Sequence, residues 1–118
     1  MDYKQFYFSP EGRVNRQQWW LWLVLPFTVI GILLAFVDMA TGRYDPEMGM
    51  GLFSGIFAVL SLIPAIIVYI KRFHDRDKSG WWVLIGLIPL IGALWLLIEL
   101  GFLKGTAGPN RFGPPVTD

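Results

Sequence analysis

The residue types able to do chemistry concentrate in one short stretch, Lys71-Arg72-Phe73-His74-Asp75-Arg76-Asp77-Lys78-Ser79. His74 beside Asp75 is a pair that metal-dependent phosphohydrolases use, and Ser79 nearby would complete a Ser–His–Asp set. Neither chemistry has enough parts. A zinc site wants three or four ligands, and the chain has one His and no Cys. A triad needs a positioned nucleophile and an oxyanion hole, whereas Ser79 stands where its hydroxyl would cap the following helix. The stretch therefore reads as non-catalytic, with no metal and no cofactor. Its acids and bases neutralise one another and cap helix ends. Its four cations, Lys71, Arg72, Arg76 and Lys78, also suit anionic lipid headgroups, at about 1 kcal/mol for each basic residue near the surface. Asp75 and Asp77 offset part of that attraction. An ordinary topology-setting loop is the alternative.

The elements that must position these residues follow from the charge spacing. The 118 residues are 54 % hydrophobic and only 16 % charged, with six Trp and nine Phe, and mean hydropathy is +0.49. No charge occurs in the 21 residues between Arg16 and Asp38, the 23 between Glu47 and Lys71, or the 20 between Lys78 and Glu99. A membrane-spanning helix needs about 20 mostly apolar residues. The pattern excludes a soluble globular domain, a disordered chain and a nucleic-acid partner. It predicts an all-α, small polytopic membrane protein with spans near 19–37, 49–70 and 80–98. A single membrane domain covers 1–118: a polar head (1–18), the spans and their loops (19–98), and a Gly/Pro-rich tail (99–118). Ser9-Pro10-Glu11 predicts a helix start in the head. The first apolar run is too long for a signal peptide and lacks a small-residue cleavage site, so it reads as a retained span. Pro26, Pro64 and Pro89 should each kink a span. No charge lies inside the spans, which argues against an ion-coupled transporter.

Orientation follows from the basic residues. Head and connector carry seven Lys and Arg, and the 38–47 loop and the tail carry three. With three crossings the N-terminus is predicted cytoplasmic and the C-terminus periplasmic. A re-entrant third segment turning over Pro89-Leu90-Ile91-Gly92 is the alternative. It is disfavoured because re-entrant backbone needs protein or water around its polar groups.

Small residues mark the packing faces. Gly51, Gly55, Ala58, Ser61 and Ala65 share one face of the second span. Gly31 and Ala35 lie four apart on the first, and Gly86 and Ala93 seven apart on the third. Such faces let membrane helices approach closely. They serve either the three helices of one chain or a homo-oligomer seam.

Three clusters carry a family resemblance: Phe8-x-x-x-Gly12-Arg13-x-x-Arg16-x-x-x-Trp20 in the head; Lys71 to Ser79 with Gly80-Trp81-Trp82 in the connector; and Gly105-x-x-Gly108-x-Asn110-Arg111-Phe112-Gly113-Pro114 in the tail. Their order and spacing resemble the DUF805 family of small bacterial inner-membrane proteins, along nearly the whole chain. The family is named for its unknown function, so the resemblance implies class and inner-membrane location. It also implies that Gly12, Arg13, Arg16, Arg72, His74, Asp75, Ser79, Gly80, Trp81, Asn110, Arg111 and Gly113 matter. With Arg76 added, the polar members of this set (Arg13, Arg16, Arg72, His74, Asp75, Arg76, Ser79, Asn110, Arg111), together with Trp81, are the candidate lipid- or partner-binding site. The expected role is a membrane interaction or scaffold protein, or a lipid-contacting one. An oligomeric channel or transport component is the alternative. Expected partners are the bilayer, anionic lipids, a second copy or another membrane protein.

Overall fold

The computed structural model describes residues 2–116. Helix α1 (Tyr3–Phe8) opens on Asp2, whose carboxylate accepts the Lys4 and Gln5 N–H groups. The head's helix therefore ends where one was expected to begin. Ser9 terminates α1, and its hydroxyl accepts the Glu11 N–H in a local turn. Pro10 and Gly12 make the exit, Gly12 with φ +93°.

Helix α2 (Arg16–Ala40) and helix α3 (Leu52–Asp75) are the two long apolar helices. At 1.5 Å per residue each is about 36–38 Å long, enough to cross a bilayer. Only 6 % of the most apolar stretch of either is buried, so these are not the core helices of a soluble protein. Asn15 and Gln18 form a reciprocal cap at the start of α2. The helix then widens into one π turn over Trp20–Val24 before Pro26. Pro26 has no N–H to offer the Trp22 carbonyl four residues back; the Tyr7 hydroxyl donates to that carbonyl instead.

A short hairpin joins α2 to α3: β1 (Tyr44–Asp45) pairs antiparallel with β2 (Met50–Gly51). Asp38, fully buried at the end of α2, caps the start of α3. Its carboxylate accepts the Phe53 and Ser54 N–H groups at 3.0 and 2.9 Å and the Ser54 hydroxyl at 2.8 Å. A Cβ on Gly51 would overlap the Asp38 side chain at 2.4 Å. Gly31, Ala35, Ala58, Ser61 and Ala65 line a cleft of about 440 Å³ between α2 and α3. Gly55 instead borders the Met50 sulfur.

The all-α membrane architecture holds, but the third apolar run differs in form from one crossing helix. It is a 3-10 helix over Gly80–Leu87, a turn, and helix α4 (Ile91–Gly101). Ile88 before the proline is extended, and Leu90 takes φ +63°. Pro89 disfavours helix in the residue before it. The two arms then fold onto each other. Gly92 approaches so closely that a Cβ there would lie 2.0 Å from the Ile85 carbonyl oxygen, and Gly86 borders Leu96. Trp82 stacks on Trp95 with ring centroids 6.3 Å apart. At the base Lys78 meets Glu99 at 2.8 Å. The turn meets part of its own backbone needs: the Ile88, Ile91 and Gly92 N–H groups donate to the Ile85, Pro89 and Ile88 carbonyls. That local pairing lessens the objection to a re-entrant form. The tail consequently lies beside the head and connector and not at the far end of the molecule, as a third crossing would have placed it. The small core of Phe6, Val14, Trp19, Leu23, Val68, Phe73 and Leu100 sits at this same end.

Cross-linking tests the fold-back. In this cysteine-free chain, Trp82→Cys with Trp95→Cys should be bridged within one molecule by a short bis-maleimide. In one straight helix residues 13 apart lie about 20 Å from each other, and no such bridge would form.

Candidate functional site

The site is the buried polar end where head, connector and tail meet. Its centre is Asp75, in the last turn of α3. One carboxylate oxygen takes Arg13 at 2.9–3.0 Å, through Nε and a terminal nitrogen, and the other takes Arg72 at 2.9 Å. All three side chains are at most 3 % exposed. A buried carboxylate between two guanidiniums is costly to desolvate and persists only when the remaining donors are also satisfied.

They are satisfied by backbone carbonyls. Arg13 donates to Thr106 at 2.6 Å, Gly108 at 2.9 Å and Gly113 at 3.2 Å. With the two bonds to Asp75 this occupies the five N–H groups of a guanidinium. The tail is shaped to offer those carbonyls. Thr106 N–H donates to the Asp75 carbonyl, and a bridge between Asn110 and Gly113 turns the chain back. Gly113 takes φ +134°, and a Cβ on Gly105 would sit 1.9 Å from the Asp75 carboxylate.

Arg72 performs the matching task on α4. It donates to the Leu100 carbonyl at 2.7 Å and to the Leu103 carbonyl. Trp20 donates its indole N–H to the Gly101 carbonyl, Arg16 to Phe102 and Arg76 to Lys104. The last carbonyls of a helix have no partner within it and carry partial negative charge. Here the Leu100 and Gly101 carbonyls, and those of Phe102, Leu103 and Lys104 just past the helix, each meet a guanidinium or an indole from another segment. Lys71 does the same for α1, donating to the Gln5 and Phe6 carbonyls at 2.7 and 2.6 Å.

His74 stacks flat on Phe112, centroids 3.8 Å apart and planes 4° from parallel. Its Nδ1 lies 3.0 Å from the Gly12 carbonyl oxygen; a carbonyl only accepts, so Nδ1 holds the proton. Asn110 donates to the His74 carbonyl and the Thr106 hydroxyl. Arg111 pairs with Asp77 on the exposed rim. Ser79 caps the 3-10 helix through the Trp81 N–H, and Trp81 itself points outward, 78 % exposed. Of the sequence candidates, Arg13, Arg72, His74, Asp75, Arg76 and Asn110 converge. Arg16 joins them through the end of α4, and Ser79, Trp81 and Arg111 lie at the edge. Asp75 is spent on arginines, not on orienting His74.

Sequence reasoning missed Glu99 and Thr106, and it left Lys71 and Gly105 out of the candidate site although both stand in the motif clusters. Glu99 takes Arg76 at 3.0 Å, Lys78 at 2.8 Å and the Trp95 indole at 2.8 Å. Its signal was its position as the first charge after 20 uncharged residues. Burial pushes its carboxyl up, but the bonds from Lys78, Arg76 and Trp95 outweigh burial and hold it below the usual carboxylate range.

The three motif clusters thus form one physical unit, and the comparisons with known proteins cover that unit whole. The model of the family described as protein of unknown function (DUF805) matches residues 7–114. The chain belongs to the DUF805 family. Inner membrane protein YhaH of Escherichia coli (strain K12) is 34 % identical over 108 residues, covering 92 % of this chain and 87 % of its own length. Inner membrane protein YhaI of the same strain is 29 % identical over 108 residues, covering 91 % of this chain and 85 % of its own. The uncharacterized protein YiiR, also of that strain, is 28 % identical across this whole chain and 92 % of its own length. No solved structure matches the chain. Together with the two exposed apolar helices, these relatives make this DUF805 chain an inner-membrane protein.

Two measurements test the cluster. Asp75→Ala leaves two buried guanidiniums without their carboxylate, which should cost about 3–5 kcal/mol in reversible unfolding in detergent; Arg111→Ala on the rim should cost well under 1 kcal/mol, in the ~0–1 range of exposed pairs. Glu99, lowered by folding, should contribute stability that is full above the unfolded carboxyl pKa of about 4.3. That contribution is lost as pH falls through the depressed folded value. Glu99→Gln should therefore lower stability near neutral pH and flatten its acid dependence.

Proposed function

We propose that this DUF805 chain is a non-catalytic interaction protein that holds a prefolded polar platform at the cytoplasmic face of the inner membrane and docks a membrane-protein partner there. The observation that carries the reading is the buried Arg13–Asp75–Arg72 network. A chain that only had to stay in the bilayer would not need to fix head, connector and tail in one geometry at the cost of burying three charges. The engagement of Asp75 by two arginines and of His74 by Phe112 and Gly12 supports a positioning role over a chemical one.

With the tail beside the head, nine of the ten Lys and Arg residues lie at the platform end, and only Arg43 lies at the other. By the positive-inside rule this supports a cytoplasmic location for the platform and for both ends of the chain, with α2 and α3 crossing and the third run re-entrant. Tyr3, Phe8, Trp81 and Phe102 are exposed around this end, as aromatic side chains at a headgroup boundary are. Asp77, Lys104 and Arg111 face outward and give the platform its water-side contacts.

Single cysteines test the topology. Ser9→Cys, Asp77→Cys and Ala107→Cys should resist an impermeant thiol reagent on intact spheroplasts, and Glu47→Cys should react. Labelling of Ala107→Cys from outside would restore the third crossing. For the partner, a photoreactive residue at Arg111 should trap a discrete protein adduct in cells that one at Leu60, on the lipid-facing side of α3, does not. Lipid adducts alone from both positions would overturn docking.

A further inference from the structure

The far end of the molecule carries a second feature, independent of the platform. A groove of about 550 Å³ runs from the β1–β2 hairpin down one side of α3. Its walls are Met48, Leu52, Ile56, Val59 and Leu60, and its mouth holds Arg43 and Asp45. Gly55 lies in the lining, and within 4 Å a Cβ there would meet only the Met50 side chain, its sulfur at 3.3 Å. The missing side chain leaves a slot beside Met50 along the apolar wall.

The mouth has a definite charge pattern. The Arg43 guanidinium lies over the Phe53 ring, 5.4 Å from its centroid, and donates no hydrogen bond among the described residues. The Asp38 carboxylate feels the Arg43 charge but accepts its hydrogen bonds from the start of α3. Asp45 shares the groove with Arg43, and its Oδ1 accepts the Glu47 N–H. The hairpin region 38–47 carries three acids and one base. An anionic headgroup would meet net repulsion there. A headgroup bearing both a phosphate and a primary ammonium fits: phosphate oxygens accept from a guanidinium, and an ammonium donates to a carboxylate.

We propose that this groove binds a zwitterionic phospholipid of the phosphoethanolamine class from the leaflet opposite the platform, its phosphate on Arg43, its ammonium on Asp45 and one acyl chain in the slot beside Gly55. A quaternary ammonium headgroup has no N–H to give Asp45 and is the weaker ligand.

Native mass spectrometry of the detergent-purified full chain tests this with phosphatidylethanolamine and phosphatidylglycerol supplied in equal amounts. The wild type should retain phosphatidylethanolamine about tenfold over phosphatidylglycerol, the ratio that one charge-assisted contact supplies. Arg43→Gln should lower phosphatidylethanolamine retention by about the same factor. Asp45→Asn should abolish the preference between the two lipids. Gly55→Leu, which fills the slot, should lower retention of both. Arg111→Gln, at the platform, should change nothing. Melting curves confirm that the exposed-residue variants are folded. Equal retention of the two lipids by the wild type, or a preference unchanged in Arg43→Gln and Asp45→Asn, overturns the proposal. So does a dimer lost in Gly55→Leu without bound lipid, which would assign the groove to a second copy. Failure here leaves the platform standing, because the platform's tests read the opposite end.

Discussion

Everything at the polar end depends on one carboxylate being shared by two guanidiniums. Asp75 alone at the end of α3 would be an ordinary helix-terminal acid, and an unfavourable one, since the C-terminus of a helix already carries partial negative charge. Arg72, one turn earlier, and Arg13, from the head, reverse that. Each arginine then has donors left over, and these reach into different parts of the chain: Arg13 into the tail, Arg72 into the end of α4. One acid thereby couples the head, the end of α4 and the tail, and of these only the tail contributes nothing to the apolar core. The same logic explains why the tail stays folded with so little hydrophobic material. Its order comes from carbonyl oxygens held by cations, not from a core.

The sequence made the membrane class legible because charge spacing is a direct record of where water is absent. The two long helices fall where the uncharged runs predict: α2 extends by about a turn at each end, and α3 starts three residues late and runs on into the charged connector. The form of the third run was not legible in that way. Its length and hydropathy match the other two; what differs is local. Pro89 follows Ile88, Leu90 adopts a left-handed conformation, and Gly92 supplies the one surface flat enough for Ile85 to approach. Periodicity is blind to such a turn, because both arms remain apolar throughout. The count of basic residues could have exposed it, since moving the tail to the head's side changes a moderate bias into an almost complete one.

Of the site, the residue list was largely readable and its logic was not. Arg13, Arg72, His74, Asp75 and Asn110 stand in recognisable motifs, but sequence alone left the arginines between Asp75 and lipid phosphate. Arg13 and Arg72 take Asp75 and, with their remaining donors, backbone carbonyls. The sharing of a helix's terminal carbonyls among donors from other segments leaves no spacing rule, because each donor arrives from a different place in the chain. Asp38 is the same lesson at the other end. It looked like the first residue of a polar loop, yet it is the cap of the next helix, and only the partner positions 53 and 54 reveal that.

The fold-back also sets the outline that the protein presents to the bilayer. Near the platform the cross-section contains α2, α3 and both arms of the third segment. Toward the hairpin it contains α2 and α3 alone. The molecule is therefore a wedge, broad at the platform end and narrow at the hairpin end. A turn of three residues, Ile88 to Leu90, is thus sufficient to give a small helical protein its taper.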